Sequence, residues 1–333
     1  MKDKKYIFIF NIRAFDSVIN ATTSSGSGNK LTDEIKTYYS DYLIDLAEAE
    51  LVHDQFGQKR NIPRGNGKTI EFRKFNQLAK ITTALTEGVT PDGQALDVSA
   101  ITAAVNQYGG YVIITDLLDL TAIDNIKTEA VQLIGSQAGR SLDTVVREIL
   151  NGGTNVQYHE GERAGRAAMT ATDHLTVNAV RQAVRTLKRN NAKYIDSSYV
   201  GIIHPDIAYD LMSDEAWVDW HKYTTPENMY ENEIGKIAGV RFVETTEAKI
   251  FENAGGSSTF DIYSTLIIAK DAYGTTELEG GGLELLIKNK GSAGTADPLD
   301  QRSTIGWKAT KTAERLVEDY MVRIETACSY NAA

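Results

Sequence analysis

Thr69-Ile70-Glu71-Phe72-Arg73-Lys74-Phe75 alternates apolar with polar side chains, as a strand does when its two faces meet different surroundings. A second strand pattern returns at Tyr108 to Thr115. Between them, from Asn76 to Asn106, the pattern weakens, and Glu87-Gly88-Val89-Thr90-Pro91-Asp92-Gly93 is loop chemistry. Two strands flanking a polar excursion of about 30 residues predict a long hairpin, whereas an ordinary hairpin turn has about 2–5 residues. The economical reading is a ribbon that leaves its own domain and finds partners elsewhere. This stretch decides the fold, because few compact domains spend so many residues on an excursion.

Outward from it, residues 124–150 give the strongest helical pattern. Ile126, Ala130, Leu133, Ile134, Ala138, Leu142, Val145, Val146 and Ile149 form one apolar face, Asp124 is a suitable cap, and Gly152-Gly153 ends it. At about 1.5 Å per residue such a helix spans about 40 Å, more rod than filler. Before the ribbon, Ala21-Thr22-Thr23-Ser24-Ser25-Gly26-Ser27-Gly28 predicts a flexible tract. A helix is expected after Thr32, with Leu31, Ile35, Tyr38, Tyr42, Leu46 and Ala49 at helical spacing and Gly57 as its stop. It has no obvious partner helix nearby in sequence, so it is expected to dock on another lobe or another subunit.

After the long helix, residues 176–190 predict a shorter one. Val177, Val180, Val184 and Leu187 point inward, and Arg181, Arg185, Lys188 and Arg189 outward. Tyr199-Val200-Gly201-Ile202-Ile203 reads as a buried strand, and His204-Pro205-Asp206 as a helix start with Pro205 in its first turn. Val240 to Val243 and Leu266 to Ala269 look like further strands. From Arg302 to Cys328, two long strands are expected to return and pack on the long helix.

Composition narrows the function. Among 333 residues, 42% are hydrophobic and 24% charged, which describes a globular chain rather than a disordered one. The formal net charge of −10 argues against a general affinity for free nucleic acid. The single cysteine, Cys328, cannot build a disulfide framework, which points to folding in a reducing cytosol. The apolar run Tyr6 to Phe10 falls short of the about 7–15 residues of a signal peptide. No run reaches the ~18–20 apolar residues of a membrane span.

Chemistry-bearing motifs are weak. Gly65-Asn66-Gly67-Lys68-Thr69 ends like a phosphate-binding loop, but Ile62 stands where that motif needs its first glycine, and a strand follows instead of a helix. His53, His159, His174, His204 and His221 show no zinc spacing, so surface or packing roles are expected. Asp116, Asp119 and Asp124 read as caps and solvated faces. Cys328 lacks the context of a nucleophile, no Gly-x-Ser-x-Gly elbow occurs, and Gly280-Gly281-Gly282 reads as a flexible turn. The basic helix face reads first as solvated, with nucleic acid or an acidic neighbour as the alternatives. Sixteen tyrosines suit subunit contacts, since Tyr offers apolar area with a polar tip.

The order of parts, with a set of short strings, resembles the N-four-like phage major capsid family of the HK-ninety-seven-like fold. The strings are Lys68 to Phe75, Leu85 to Gly93, Gln107-Tyr108-Gly109-Gly110-Tyr111 with Thr115-Asp116, His204-Pro205-Asp206 with Tyr209-Asp210-Leu211, Gly239 to Thr245, Lys270 to Gly274, Asp297 to Arg302 and Gly306-Trp307-Lys308. The resemblance runs from about residue 31 to 328. It implies an α+β fold. Residues 1–60 would be an N-terminal arm and 61–115 an extended loop lying over a neighbouring subunit. Residues 116–175 and 286–333 would form a peripheral domain with a spine helix, and 176–285 an axial domain around five-fold and six-fold centres.

It implies a shell protein and no enzyme or cofactor: pentamers and hexamers of an icosahedral head around double-stranded DNA, assembled in the bacterial cytoplasm, with portal, scaffold and decoration proteins as further partners. Lys80 lies where some members of the fold crosslink, but no partner is assigned. The predicted inter-subunit contacts are Tyr38, Tyr42, Phe72, Phe75, Leu85, Val89, Tyr108 and Tyr111. Phe72→Asp or Tyr111→Asp is expected to impair assembly more than lobe folding. Other readings are an encapsulin-like compartment, another phage structural or decoration protein, and a hydrolase or nucleotide-binding enzyme.

Overall fold

The computed structural model describes residues 51–75, 78–85, 87–88, 90–121, 126–221, 235–256, 259–294 and 297–330. The tract 21–28, the expected helix from Thr32 with Tyr38 and Tyr42, Val89 and the cap Asp124 lie outside them. In chain order the elements are β1 (Gln58–Ile62), β2 (Thr69–Phe75), β3 (Val98–Ala104), β4 (Asn106–Thr115), α1 (Asp116–Thr121), α2 (Ile126–Asn151) and β5 (Val156–Tyr158). There follow α3 (Val177–Arg189), β6 (Tyr199–Ile203), α4 (Pro205–Ser213), α5 (Glu215–His221), β7 (Lys236–Ile237), β8 (Val240–Glu244), β9 (Ile250–Gly255) and β10 (Phe260–Ile268). The chain closes with β11 (Tyr273–Leu278), β12 (Glu284–Lys288), β13 (Arg302–Arg315) and β14 (Met321–Thr326).

One sheet is built on β13. Its one edge pairs antiparallel with β4 over ten residues, from Arg302↔Thr115 to Lys311↔Asn106. Its other edge takes β12 along Thr304–Lys308 and β11 along Thr312–Arg315, and β1 extends the sheet parallel to β11. The alternation of β13 explains why one face is dry. Ile305, Trp307 and Ala309 turn toward α2, where Ala130, Val131, Ile134, Ala138 and Leu142 meet them. Thr304, Gly306 and Lys308 turn the other way.

The second sheet runs β5-β14-β10-β6-β8-β7, with β9 also on β10. Every residue of β6 and β14 is buried, as expected of strands covered on both faces. Alternate residues go to different layers. Ile203, Ile267, Val322 and Ile324 pack with Val180, Val184 and Leu187 of α3, while Ile202, Leu266, Ile268 and Met321 pack with Val146 and Leu150 at the end of α2. The long helix thus lies against one sheet with its first half and reaches the other with its last turns. Its 26 residues span about 39 Å.

The helices follow their sequence signals. Thr176 caps α3 by accepting the Ala179 N–H, and Pro205 opens α4 after the His204 cap. Leu133, placed on the apolar face of α2 by its spacing, is instead exposed. Asp143, a polar residue on that face, is fully buried. Its partner is His53: the His53 N–H donates to Oδ1 at 2.7 Å, and the ring Nδ1 lies 2.6 Å from Oδ2. The Tyr273 hydroxyl donates to the His53 carbonyl.

Next along the chain, the buried Asp54 accepts from Lys311 Nζ at 2.9 Å, and Lys311 also reaches Glu277 at 2.5 Å. Burial works against the Lys311 ammonium, but the two carboxylates outweigh it and raise its pKa. These contacts explain a difference from expectation. Residues 53–56 form a turn rather than the end of a helix running to Gly57, because the His53 N–H serves Asp143 instead of a preceding carbonyl.

Three boundaries shift. β5, expected in the peripheral part, and β14, expected as a return strand on the long helix, both belong to the sheet of β6 and β10. β11, expected in the axial part, pairs with β1 and β13. Both return strands still meet α2: β13 lies along its first half, and β14 touches its last turns through Met321. Met321 to Ile324 has apolar residues directed to both layers, which suits the inside of a covered sheet.

Asp143→Ala should strip the acceptors from two buried His53 donors and cost about 3 kcal/mol, at about 1–3 kcal/mol per stranded group. Denaturant unfolding of the unassembled chain measures this, and a midpoint equal to wild type would count against the pair as an anchor.

Candidate inter-subunit surface

The excursion read between two strands is a hairpin, but its second strand is not the expected one. β2 pairs with β3 in seven consecutive steps, from Thr69↔Ala104 to Phe75↔Val98. The segment expected to close the hairpin, Tyr108 to Thr115, is β4 and pairs with β13. Val98-Ser99-Ala100-Ile101-Thr102-Ala103-Ala104 is made largely of small residues, so its alternation is too faint to read as a strand.

The base of this hairpin is anchored in the body. Phe72 is only 4% exposed and lies across Gly274, where a Cβ would fall 2.7 Å from its ring. The Arg60 guanidinium stands over the other part of the same ring, 5.6 Å from its centroid. Phe72 therefore acts within its own chain. It is corrected as a predicted subunit contact, and Phe72→Asp would strike folding first. Lys74 still reaches back over the Tyr320 ring, 5.5 Å from its centroid, and from there the ribbon leaves the body: every described residue from Arg73 to Ala100 is exposed. That length carries Phe75, Leu78, Ile81, Leu85, Leu96 and Val98, with Ile81 76% and Leu85 74% exposed. A solvated loop does not need six large apolar side chains.

A second apolar surface lies on the far face of the β13 sheet. Tyr111 and Ile113 of β4 and Leu286 of β12 point away from α2 and line an open groove of about 510 Å³. Tyr111 is 71% exposed and crosses Gly306, where a Cβ would fall 2.7 Å from its own Cβ. Lys288, Arg302 and Lys308 also line the groove, and no carboxylate does. Lys308 reaches Glu284 at 3.3 Å and Arg302 reaches Asp297 at 3.6 Å, both outside the lining. Beyond the strand, α1 exposes Leu117, Leu118 and Leu120.

The remaining predicted contacts divide. Phe75, Leu85 and Tyr111 are exposed, while Tyr108 is half-buried against the α2 layer. Leu78, Ile81 and Leu96, Ile113 and the α1 leucines were not among the predicted contacts. The available signal was large apolar residues inside a stretch rich in loop chemistry.

The other candidate chemistry has packing explanations. Gly65 and Gly67 take positive φ in an exposed turn, and β2 follows directly. His204 Nδ1 accepts the Asp206 N–H at 3.2 Å. Burial first of all pushes the Cys328 thiol up to about 11, so it is not a ready nucleophile. Gly281 is held by its backbone: its N–H donates to the Leu278 carbonyl at 2.8 Å and its carbonyl accepts from Thr310 N at 2.7 Å. The triple glycine is thus a fixed turn at Gly281 rather than a loose one.

A family model described as phage capsid protein matches residues 22–276, more than half of the chain. The chain belongs to the phage capsid protein family. No curated protein matches the sequence.

Among solved structures, this capsid protein is similar to the capsid of Ralstonia phage GP4, at 14% identity over 83% of this chain and 88% of that one, with a TM-score of 0.64. It is also similar to the cyanophage Pam1 capsid asymmetric unit, at 14% identity over 86% and 93%, TM-score 0.63. The capsid of cyanophage P-SCSP1u matches at 16% identity over 82% and 87%, TM-score 0.60. These likenesses show the fold, which is the α+β HK-ninety-seven-like one. The family is structural rather than enzymatic, and its members form the major shell of the virion.

Gly274→Val should evict the Phe72 ring and cost about 1–3 kcal/mol through overpacking. It should also speed limited proteolysis between residues 73 and 100. Unchanged cleavage would mean that Phe72 does not anchor the ribbon.

Proposed function

We propose that copies of this chain assemble into the pentamers and hexamers of an icosahedral head around double-stranded DNA, each copy laying its hairpin over the sheet groove of the next. The observation that carries this reading is the exposed ribbon with its six large apolar residues. The groove supports it from the other side. The outer part of the ribbon, residues 78–98, has one cation, Lys80, and three carboxylates, Glu87, Asp92 and Asp97, whereas Arg73 and Lys74 lie at its base. An apolar tip with more carboxylates than cations matches an apolar groove whose only charged lining residues are cations.

The same arrangement would comprise an arm over residues 1–60, the hairpin as extended loop, and peripheral and axial parts, adjusted for the strands that change sheets. Tyr38, Tyr42 and Val89 remain proposed contacts of the arm and the loop. Each joint is small, but every copy both gives a ribbon and receives one. A closed ring therefore converts weak contacts into a strong shell through effective concentration. Ribbon burial depends on assembly, so the shell stabilises the chain by mass action. Portal, scaffold and decoration proteins would join the same shell, formed in the host cytoplasm.

Leu85→Asp combined with Leu96→Asp should leave the unassembled chain's melting temperature within about 2 °C, because surface changes usually stay within about 0.5 kcal/mol. The same pair should abolish closed shells in electron micrographs. Tyr111→Asp, on the groove side, should do likewise. Normal shells from both variants would remove this joint.

A further inference from the structure

The exposed side of α3 carries a charge pattern that the hairpin joint does not use. Arg181, Arg185 and Arg189 recur four residues apart, Lys188 lies beside them, and Lys193 follows the helix end. Lys193 is joined to another exposed lysine: its carbonyl accepts the Lys270 N–H at 3.0 Å. Arg185, Lys188, Arg189, Lys193 and Lys270 have no ion-pair partner among the described residues, in a chain whose net charge is −10. Lys188 and Arg189 suit the negative end of the helix dipole, but that field fades within the last turn and does not account for Arg185 or Lys193.

A groove of about 280 Å³ runs along the flank of this face. Arg185 and Arg163 line it together with the amides of Asn155, Gln157 and Gln182, and no carboxylate does. Arg163 is held ready by Asp173, which accepts from its Nε and an Nη at 2.8 Å each. A cationic stripe beside an amide-lined, acid-free groove is chemistry suited to phosphate oxygens.

The face is also rich in Lys, with Lys188, Lys193 and Lys270, and protein interfaces are poor in Lys although they favour Arg as well as aromatic residues and Met. An exposed aromatic pair lies elsewhere on this lobe, where Tyr209 and Tyr330 meet edge to face at 5.4 Å, with Met212 exposed on the same helix as Tyr209.

The geometry points to the outer face of α3, with the groove at its flank, as a binding surface for the phosphate backbone of double-stranded DNA, read without sequence preference. This rests on the shell reading above and adds to it which side of the axial lobe faces the packaged DNA.

The test uses the soluble full-length chain and a random-sequence DNA duplex. R185Q/K188Q/R189Q should weaken binding about tenfold or more at low salt and reduce the slope of log affinity against log salt by about three, near one per cation removed. Its melting temperature should fall by no more than a few degrees, since all three side chains are exposed and only Lys188 and Arg189 lose a helix-dipole contribution. Equal affinity and slope for variant and wild type, or no binding by wild type, would overturn the assignment. So would loss of shells with DNA affinity unchanged, which would place another protein copy on this face. Electron microscopy of the same preparations keeps the two readings apart, because wild-type shells without DNA binding would leave only the shell reading standing.

Discussion

Pairing along both edges of Arg302–Arg315 is the constraint from which the rest of the structure follows. This single strand of 14 residues holds β4 on one side and β12 and β11 on the other. Its partners come from residues 106–115, 273–278 and 284–288, so the sheet closes only after nearly the whole chain is present. The side chains of the same strand settle the layers. Trp307, between Ile305 and Ala309, presses on α2, and Gly306 leaves room for Tyr111 on the opposite face. Lys311, farther along, gathers Asp54 and Glu277 and so reaches the segment before β1. A change in the register of this strand would exchange its two faces, burying Lys308 and exposing Trp307.

The second long-range tie is polar. Asp143 sits on the buried side of α2, where a hydrophobic residue would satisfy the helical pattern. A carboxylate in such a place is tolerated only with its hydrogen bonds complete, and His53 supplies two. The exchange gives direction to the chain rather than extra burial. It fixes where the residues before β1 enter the body. The helix contributes apolar contacts to both sheets, but this pair distinguishes one docking of the N-terminal segment from others with similar hydrophobic gain.

Legibility in the sequence followed the range of the interaction. The helices α2 and α3, the strand β6 and the turn into α4 were readable because their signals are local: period, caps and a proline at the first turn. The partner of β2 was not. Two good strand patterns flanking a polar stretch suggested that they pair with each other, while the true partner, β3, consists of small residues whose alternation is nearly invisible. The same limit misplaced β14, since a strand's pattern records how many of its faces are buried and not which sheet buries them. Phe72 shows the limit at one residue. Its alternation correctly predicted a covered side chain, yet nothing in the sequence distinguished cover by Gly274 from cover by another copy. Leu85 carried the opposite information, because an apolar residue within loop chemistry has no local reason to be there.

These two residues lie on one ribbon and mark where the chain's self-sufficiency ends. Up to Lys74 the hairpin is satisfied by its own body, through Gly274, Arg60 and Tyr320. From Phe75 outward its large apolar side chains meet solvent. A two-stranded ribbon alone is marginal in water, and apolar residues along it raise the free energy of the isolated chain further. Selection for monomer stability would replace them with polar residues at no structural cost. Their presence fits a chain that belongs to a shell of many copies rather than one optimised to stand alone. The anchored base ties the ribbon directly to β11 through Phe72 and Gly274, and through β11 to the strand that organises the sheet.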